Sequence, residues 1–386
     1  MRILNVDIGT GTQDIFLYDS RLDLENGYKL VVPSPTMIIH RKLTESTRRG
    51  DSVLLYGEIM GGGPSAWAAE AHTRAGLPIY ATPEAAKTLN DDLDAVREVG
   101  ITLVSEDEAR RLPDSVRRIQ LADFDFAAIR RSFELYGVML EDLAAIAVAV
   151  FDHGDAPPGY SDRQFRFDYL DERIRAVNRL SAFAFLADDA PPIMTRLRAV
   201  AASVRSWENR QIHDVPLVVM DTAPAAVLGA TFDPRVARRE RALIANVGNF
   251  HTLAFRLGPG GIEGLFEHHT GLIDLIRLEA LLVRLADGSL RHADVFDDHG
   301  HGALVYSPNP LLLSDSEDFG VVVTGPRRGL MNDSGLRPYF AVPFGDMMIT
   351  GCFGLLAAVA DVIPDLAGPI HSSLHGRSSG TAPWDI

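Results

Sequence analysis

The sequences DIGTGTQD at residues 7–14 and NVGNFHT at residues 246–252 decide the fold of this chain. Each stretch follows a short apolar run and leads into another, so each predicts a strand, a polar turn containing glycine and a second strand. Glycine in such a turn removes the Cβ atom that would keep a phosphate away from backbone N–H groups. Two such turns from two halves of one chain predict a clamp for a polyphosphate.

The overall composition predicts a globular protein of two domains. The chain has 386 residues, more than one core usually holds, and 46% of them are hydrophobic. The formal net charge of −15 argues against nucleic acid and anionic membranes as partners, because both need clustered Lys and Arg. It is compatible with a nucleotide, because backbone N–H groups and Mg²⁺ can hold phosphates in an acidic protein.

Cysteine content and hydropathy predict a soluble protein of a reducing, cytoplasmic compartment. Cys352 is the only cysteine, so one chain can form neither an internal disulfide nor the several-thiolate site of an iron–sulfur cluster. Asp7 interrupts the first apolar run, and we expect no signal peptide. The longest apolar stretch, 352–363, contains Asp361 and is too short to span a bilayer.

The order of predicted elements repeats along the chain. Three meandering strands within residues 2–40, followed by alternating helices and strands, have a counterpart that starts at residue 242. Buried strands with helices between them, such as 143–151 and 215–220, predict an α/β architecture with a mixed sheet in each half. The Ser-, Gly- and Pro-rich segment 371–386 is predicted to be a disordered tail.

This arrangement resembles the superfamily of actin, heat-shock-chaperone ATPases and sugar kinases (ASKHA). The matching segments follow the superfamily's order, namely a first phosphate motif (7–12), a connecting helix (221–229), a second phosphate motif (246–252), an adenosine motif (321–326) and a second connecting helix (351–360). The resemblance implies an α/β fold of two ribonuclease-H-like domains, each a mixed sheet with flanking helices, around a central cleft. It assigns residues 1–220, with insertions, to the first domain and 221–370 to the second.

At a finer level the chain resembles a small bacterial and archaeal family of unknown function that is labelled as a pyruvate formate-lyase activating enzyme. The label implies radical chemistry with S-adenosylmethionine, which needs a CxxxCxxC site for an iron–sulfur cluster. Because Cys352 is the only cysteine, the sequence does not support that activity.

The first turn offers the groups that Mg²⁺ and phosphate need. Asp7, at the end of a strand, is the predicted ligand of Mg²⁺, through water, and one of the predicted catalytic residues. The residues expected to contact phosphate follow it, namely Gly9, Thr10, Gly11 and Thr12. The alternative is a plain hairpin turn, in which Asp and Gly are common.

The second turn departs from the superfamily pattern. Asn246 stands where the superfamily has an acidic residue, and it offers no charge to a cation or a proton. Phe250 adds bulk where a phosphate would approach. The cofactor-binding residues expected in this half are Asn246, Gly248, Asn249, Thr252, Thr324 and Gly325. The departure leaves room for a different ligand or for binding without turnover.

The segment after the buried strand 143–151 carries two candidate catalytic carboxylates, Asp152 and Asp155. In the sugar kinases the equivalent strand end borders the substrate cleft, where a carboxylate can act as general base on a hydroxyl or a water. The alternative is a solvated loop entry, for which Asp and Gly are typical.

Two groups of histidines have competing interpretations. His268 and His269 end a predicted strand, where only one of two adjacent side chains can face a ligand. The alternative is one core histidine and one surface histidine. The His and Asp residues of segment 292–301 suit a divalent metal by type, but their spacing fits no site that we can name, so an exposed acidic loop is expected there.

Two further segments could serve structure or ligand binding. Glu58 with Gly61 to Gly63 predicts either an anion-binding loop or a flexible turn before a helix. Asp221 is expected to cap the helix that follows it, to bind a ligand, or both.

Together these features predict an ATP- and Mg²⁺-dependent protein that hydrolyses ATP or transfers its γ-phosphoryl group, with Asp152 orienting the nucleophile. The alternatives are a regulatory module that binds a nucleotide or another ligand without turnover, and a small-molecule kinase. ATP and Mg²⁺ are implied by the resemblance. The expected partners are a nucleotide and an unknown small molecule or protein, with no nucleic acid and no membrane.

Overall fold

The computed structural model describes residues 1–205, 211–313, 318–376 and 381–385. The strands within these ranges are β1 (Arg2–Ile8), β2 (Thr12–Asp19), β3 (Tyr28–Pro33), β4 (Val53–Gly57), β5 (Ile79–Ala81), β6 (Ile101–Leu103), β7 (Arg117–Leu121), β8 (Leu143–Val150), β9 (Ala184–Leu186), β10 (Leu217–Asp221), β11 (Ala242–Val247), β12 (His251–Gly258), β13 (Gly261–His269), β14 (Gly302–Val305), β15 (Val321–Thr324) and β16 (Pro338–Phe340). The α-helices are α1 (Pro35–Arg49), α2 (Pro64–Arg74), α3 (Pro83–Ala86), α4 (Leu93–Glu98), α5 (Glu106–Arg111), α6 (Phe126–Glu134), α7 (Asp162–Ala176), α8 (Thr195–Val204), α9 (Thr222–Ala230), α10 (Leu275–Asp287), α11 (His292–Phe296), α12 (Thr350–Val362) and α13 (Pro364–Leu374).

The first six-stranded sheet has the order β3-β2-β1-β8-β10-β9. β1, β2 and β3 form an antiparallel meander, and β8 and β10 continue the sheet parallel to β1. The central strand β8 is apolar throughout. Ile146 and Val148 belong to the core on one face, whereas Ala145 and Ala147 belong to the core on the other. Burial on both faces explains why this strand has no polar alternation.

The second six-stranded sheet has the order β14-β13-β12-β11-β15-β16. β11, β12 and β13 again form an antiparallel meander, and β15 and β16 run parallel to β11. Both sheets therefore share a core of three antiparallel and two parallel strands in the same order. The predicted duplication of a mixed α/β sheet is confirmed.

The chain between β3 and β8 contains an inserted unit with its own sheet. Its four strands are all parallel, in the order β6-β5-β4-β7. A separate core, which includes Leu43, Val53 and Ile119, joins this sheet to α1 and other helices. The inserted unit reaches the cleft through the loop after β4, which leads into α2.

Helices α9 and α12 pack backbone against backbone. A methyl group on Gly229 would lie 1.8 Å from the carbonyl oxygen of Thr350, and one on Gly354 would lie 1.9 Å from that of Ala225. Glycine at these two positions permits the close approach. Helix α9 contacts β10 of the first sheet and β11 of the second, so the two connecting helices fix the crossing between the halves.

The third predicted strand within residues 2–40 ends earlier than expected. β3 stops at Pro33, and Pro35 is the first residue of α1. The side chain of Ser34 accepts a hydrogen bond from Met37 N–H, and Gly50 closes the helix in the left-handed conformation. Proline at the first helical position and a serine cap start a helix here, and they outweigh the strand signal.

The predicted disordered tail from His371 is wrong for its first residues. Helix α13 continues to Leu374, because Ile370 and Leu374 are buried at helical spacing and Ser373 bonds with Tyr18. Residues 377–380 and Ile386 lie outside the described residues. Helices α12 and α13 pack in a core with strands of the first sheet, although they lie in or beyond the range 221–370 that was assigned to the second domain. The division at residues 220 and 370 stays a prediction.

Candidate functional site

A cavity of about 460 Å³ lies between the first turn, the second turn and the inserted unit. This volume is in the range of small-molecule sites. The predicted residues that line it are Asp7, Gly9, Thr10, Thr12, Asp152, Asn246, Gly248, Asn249, Thr324 and Gly325. Segments that are more than 200 residues apart in the sequence therefore meet at one cleft.

The first turn closes the β1–β2 hairpin, and Gly9 N–H donates to the Thr12 carbonyl at 2.9 Å. The pairing register sets Asp7 directly opposite Asp14, so both side chains project from the same face. Burial raises the pKa of Asp7 to about 6. Burial and the charge of Asp7 raise the pKa of Asp14 to about 8. Asp14 was not among the predicted site residues, although it and Asp7 flank the turn symmetrically.

The carboxylate of Asp7 lies at the start of both connecting helices. Thr222, the first residue of α9, donates its hydroxyl to Asp7 Oδ1 at 2.5 Å. A methyl group on Gly351, in the first turn of α12, would lie 1.8 Å from Asp7 Oδ2. The positive ends of two helix dipoles thus point at Asp7, which favours a negative charge or a bound anion nearby.

The second turn repeats the backbone of the first. Gly248 N–H donates to the His251 carbonyl at 3.0 Å, the counterpart of the bond between Gly9 and Thr12. By the same register, Asn246 corresponds to Asp7, and its partner across the hairpin is Leu253 where the first turn has Asp14. The second turn therefore offers no carboxylate at either position.

The two turns touch each other across the cleft. A methyl group on Gly11 would lie 2.5 Å from the amide nitrogen of the Asn249 side chain. Phe250 packs against Trp67 of α2, with 5.8 Å between ring centroids, and lies beside Gly63. The ring of Phe250 thus packs against the inserted unit. The absence of a side chain at Gly11 lets the two turns approach each other.

Thr252 does not reach the cleft. It is fully buried, and its hydroxyl bonds with that of Thr270 at 2.9 Å. Side chains alternate along β12, so a residue next to the cleft residue His251 faces the opposite side of the sheet. The expected contact between Thr252 and a cofactor is therefore not present in this arrangement.

Thr324 and Gly325 end β15 beside the second turn. Gly325 has a φ of +97°, and a methyl group on it would lie 2.4 Å from Asn246 Oδ1. The left-handed conformation and the close approach both require glycine. The adenosine-motif segment and the second phosphate-motif segment are thus packed together on one wall of the cleft.

Asp152 and Asp155 occupy different environments. Asp152 is buried, its Oδ1 accepts from Gly154 N–H at 2.9 Å and its Oδ2 accepts from Leu197 N–H at 2.8 Å. Asp155 is exposed and does not line the cavity. Both oxygens of Asp152 are thus bound to backbone groups, one of them in the first turn of α8, which gives this residue a structural role in the cleft wall.

Arg166 on α7 joins the two halves of the molecule. Its Nη1 donates to Asp221 Oδ2 at 2.7 Å, and its Nε donates to Glu267 Oε2 at 2.7 Å. Arg166 and Glu267 are completely buried. Asp221 also accepts from Ala223 N–H at 3.0 Å, so its predicted role as the cap of α9 is confirmed. The two acidic charges hold the guanidinium in its charged form by raising its pKa.

The inserted unit supplies the remaining wall. Gly61, Gly62 and Gly63 line the cavity together with Lys87. Arg196 of α8 also lines it, and binds Asp123 through its Nε at 2.6 Å. Sequence reasoning missed both cations because their distance from the two turns in the chain gives no signal.

The two adjacent histidines of β13 lie in different surroundings. His268 is buried, and its Nε2 lies 3.3 Å from Asp298 Oδ2. His269 is half-buried and pairs across the hairpin with His251, a residue that lines the cavity. The alternation along the strand thus places His269, and not His268, at the cleft edge of the sheet.

The expected exposed acidic loop at 292–301 is wrong in part. Residues His292–Phe296 form α11, Val295 is buried, and His301 is 5% exposed. His301 N–H donates to the Glu267 carbonyl at 2.9 Å, which draws the end of this segment against the edge of β13. Hydrogen bonding to the sheet edge, which the local sequence does not reveal, buries His301.

The duplicated sheets, the crossing helices and the cleft between the turns form the α/β architecture of two similar mixed sheets that the sequence predicts. The model of the family described as "Putative pyruvate format-lyase activating enzyme (DUF1786)" matches residues 60–330. This match covers more than half of the chain, so the chain belongs to that family. The matched range starts after the first turn and after β4, and it includes the rest of the inserted unit and the second turn.

Solved structures of low sequence identity are similar to this chain over most of its length. The ethanolamine utilization protein EutJ from Carboxydothermus hydrogenoformans has 10% identity and a TM-score of 0.30, with 92% of this chain and 89% of that chain covered. The activator of 2-hydroxyisocaproyl-CoA dehydratase from Clostridium difficile, with bound ADPNP, has 9% identity and a TM-score of 0.33, with 97% and 98% covered. No curated protein matches the sequence.

None of the helices in the described parts of the chain combines the length and the hydrophobicity needed to cross a membrane.

Proposed function

We propose that the cleft binds a nucleoside triphosphate, ATP by resemblance, together with Mg²⁺, and acts on its γ-phosphoryl group. The observation that carries this proposal is the pair Asp7 and Asp14, two adjacent carboxylates beside a glycine turn that faces a second glycine turn. The pair meets the demand of Mg²⁺ for oxygen ligands.

The residues at the first turn fit a divalent cation. Within the described residues, Asp14 Oδ1 is buried and has no hydrogen-bond partner. A buried acceptor without a partner costs free energy unless a proton or an ion satisfies it. Burial is the largest cause of the raised pKa values of both Asp7 and Asp14, and the charge of Asp7 raises the pKa of Asp14 further. A cation between them would relieve both costs.

The residues around the cation fit a polyphosphate. The turn 9–12 and the helix starts at Thr222 and Thr350 bring backbone groups and dipoles to the cleft. Lys87 and Arg196 also line the cleft, paired with Glu84 and Asp123, and either could turn toward a phosphate. Bound Mg²⁺ would neutralise charge on the transferred group. The chain itself would position the phosphates. Nucleophile orientation by Asp152 stays a prediction.

The first test is calorimetric titration of the full chain with ATP and Mg²⁺, followed by a phosphate-release assay. We expect saturable binding that EDTA abolishes, and a loss of affinity of at least about tenfold in Asp7→Asn and Asp14→Asn. Asp155→Asn is the matched control, because it removes an exposed carboxylate near the cleft entrance and should bind as the wild type does. No binding at millimolar ATP, or equal binding by all variants, would overturn the proposal.

A second candidate function is nucleotide sensing without turnover. The observation that favours it is the second turn, where Asn246 and Leu253 replace the carboxylate pair and Asn249 lies against Gly11. This function predicts Mg²⁺-dependent binding with no phosphate release above that of Asp7→Asn. The same assay therefore separates the two functions.

The description of the family as an activating enzyme of pyruvate formate-lyase implies radical chemistry, and we do not include that chemistry in the proposal. Cys352 is the only cysteine of the chain. It is buried on α12, where its Sγ donates to the Asp14 carbonyl at 3.1 Å. One buried thiol cannot supply the three thiolates of a CxxxCxxC site.

A further inference from the structure

Three histidines from separate segments meet at the cleft edge of the second sheet. His251 begins β12 and lies directly opposite His269, the last residue of β13. His301 directly precedes β14, the next strand of the sheet, and is tied to β13 by its bond to the Glu267 carbonyl. Three neighbouring strands thus each bring one imidazole to the same place.

The geometry of these rings resembles a metal centre. One ring nitrogen from each histidine can be chosen so that all three lie within 4.8 Å of one another. The ring centroids are 5.1 Å apart for His251 and His269, 4.7 Å for His269 and His301, and 5.0 Å for His251 and His301. Tetrahedral zinc with bonds of about 2.0–2.1 Å needs nitrogens roughly 3.3 Å apart. Modest rotation of the rings would reach that spacing.

A second observation is the set of buried polar atoms left without partners. His301 Nδ1 lies 3.5 Å from Glu267 Oε1, and across the described ranges neither atom has a hydrogen-bond partner. A carboxylate beside a ligand histidine typically accepts its other ring N–H and orients the ring. Glu267 is positioned for that role, and its second oxygen is already held by Arg166.

The Glu267 carboxylate beside His301 is itself paired with Arg166, with 2.7 Å between Arg166 Nε and Glu267 Oε2. The ring of Phe151 stacks on His251 with 4.2 Å between centroids and gives the cluster an apolar wall.

We propose that His251, His269 and His301 bind one divalent transition-metal ion of the zinc class, with a coordination position open to the cleft. Three imidazole nitrogens suit zinc and its neighbours, whereas Mg²⁺ prefers oxygen. Three protein ligands leave the fourth tetrahedral position for a water or for an oxygen atom of a cleft ligand. Of the three histidines, His251 lines the cavity, so an ion at this place would lie at the cleft wall. This site is distinct from the proposed Mg²⁺ site at Asp7 and does not depend on it.

The test uses Co²⁺ as a spectroscopic substitute for zinc in the full-length chain after treatment with EDTA. We expect one equivalent to bind with the intense visible bands of tetrahedral cobalt, and Zn²⁺ but not Mg²⁺ to displace it. His269→Gln, at the most accessible ligand, should weaken binding by more than about 100-fold, beyond the loss typical of supporting residues. His299→Asn is the matched control. It removes an exposed histidine two residues from His301, and asparagine tolerates its left-handed backbone.

Circular dichroism of each variant separates a lost ligand from a lost fold. His301→Gln should lose the tetrahedral spectrum if it stays folded, and Asp7→Asn should keep it even if nucleotide binding is lost. A spectrum of octahedral cobalt, or a tetrahedral spectrum that survives in folded His269→Gln, would overturn the proposal. A failure of ATP to bind would overturn the proposed function and leave this result unaffected.

Discussion

The first and the second turn have the same backbone hydrogen bond but differ in the charge of their side chains. Each is closed by one hydrogen bond from a glycine N–H to the carbonyl three residues later. The first presents the paired carboxylates Asp7 and Asp14, whereas the second presents Asn246 and Leu253. The residue whose carbonyl accepts this hydrogen bond is Thr12 in the first turn and His251 in the second. The position of the turn is thus the same in both halves, whereas the carboxylate pair of the first has no counterpart in the second.

The largest expected effect comes from cutting the link between the two halves. Arg166→Met would leave Asp221 and Glu267 buried without their cation, and we expect a loss of about 3–5 kcal/mol in the free energy of unfolding. Urea denaturation measures it. Arg175→Met, which breaks an exposed pair with Asp171, should cost less than about 1 kcal/mol. Equal losses in both variants would show that the halves are joined by other contacts.

A glycine beside the first turn should be nearly as sensitive. In Gly351→Ala the new methyl group would lie 1.8 Å from Asp7 Oδ2, so either the carboxylate or α12 must move. We expect a destabilisation of about 2–3 kcal/mol by urea denaturation and weaker binding of Mg²⁺. Gly271→Ala, at an exposed position, is the control, because among the described residues its added methyl group would meet no atom beyond its chain neighbours within 4 Å. Its free energy of unfolding should stay within about 0.5 kcal/mol of the wild-type value.

The carboxylate pair gives the first turn a pH dependence that the second lacks. Folding raises the pKa of Asp7 from 3.8 to about 6 and that of Asp14 from 3.8 to about 8. The stability that the protonated pair contributes is therefore present below pH 3.8 and is lost as the pH rises through these two values. In EDTA, the free energy of unfolding of Asp14→Asn, relative to that of the wild type, should rise by roughly 1–2 kcal/mol between about pH 6 and pH 9.

Thermal unfolding at both pH values, with and without Mg²⁺, tests this pH dependence. Added Mg²⁺ should stabilise the wild type more at the higher pH and have little effect on Asp14→Asn. A wild type and a variant with parallel pH profiles would show that the two carboxylates do not interact.

The smallest expected effect follows from giving the second turn the charge of the first. Asn246→Asp would place a carboxylate against Gly325 and opposite Leu253, without a second acid to share a cation. We expect a destabilisation of about 1 kcal/mol at neutral pH and no gain in Mg²⁺ affinity by calorimetry. Tighter Mg²⁺ binding in this variant would mean that one carboxylate is enough to bind the ion. The two turns would then differ less in Mg²⁺ affinity than their sequences predict.

The repeated strand–turn–strand pattern carried the fold prediction, because hydrophobic periodicity and glycine are local signals. It could also have identified Asp14, since a hairpin register that starts from Gly9 pairs this residue with Asp7. The sequence prediction missed the start of α1, although Ser34 and Pro35 together are a signal for a helix start. These features were within reach of the sequence.

The rest of the site depends on contacts that no local pattern encodes. His301 joins His251 and His269 only because the chain after β13 returns to the edge of the sheet. Asp152 resembles a free carboxylate in sequence, yet Leu197, 45 residues later, occupies one of its oxygens. Tertiary contacts of this kind decide whether a polar side chain binds a ligand or supports the wall.

The contact between Trp67 and Phe250 allows the opening of the cleft to be measured by tryptophan fluorescence. The indole is 56% exposed and lies 5.8 Å from the phenyl ring across the boundary between the inserted unit and the second turn. The chain has three tryptophans, so replacement of Trp207 and Trp384 by Phe leaves one emitter at this boundary. Its emission maximum and its quenching by iodide would report each separation of the two surfaces in real time, in a protein that carries no added dye.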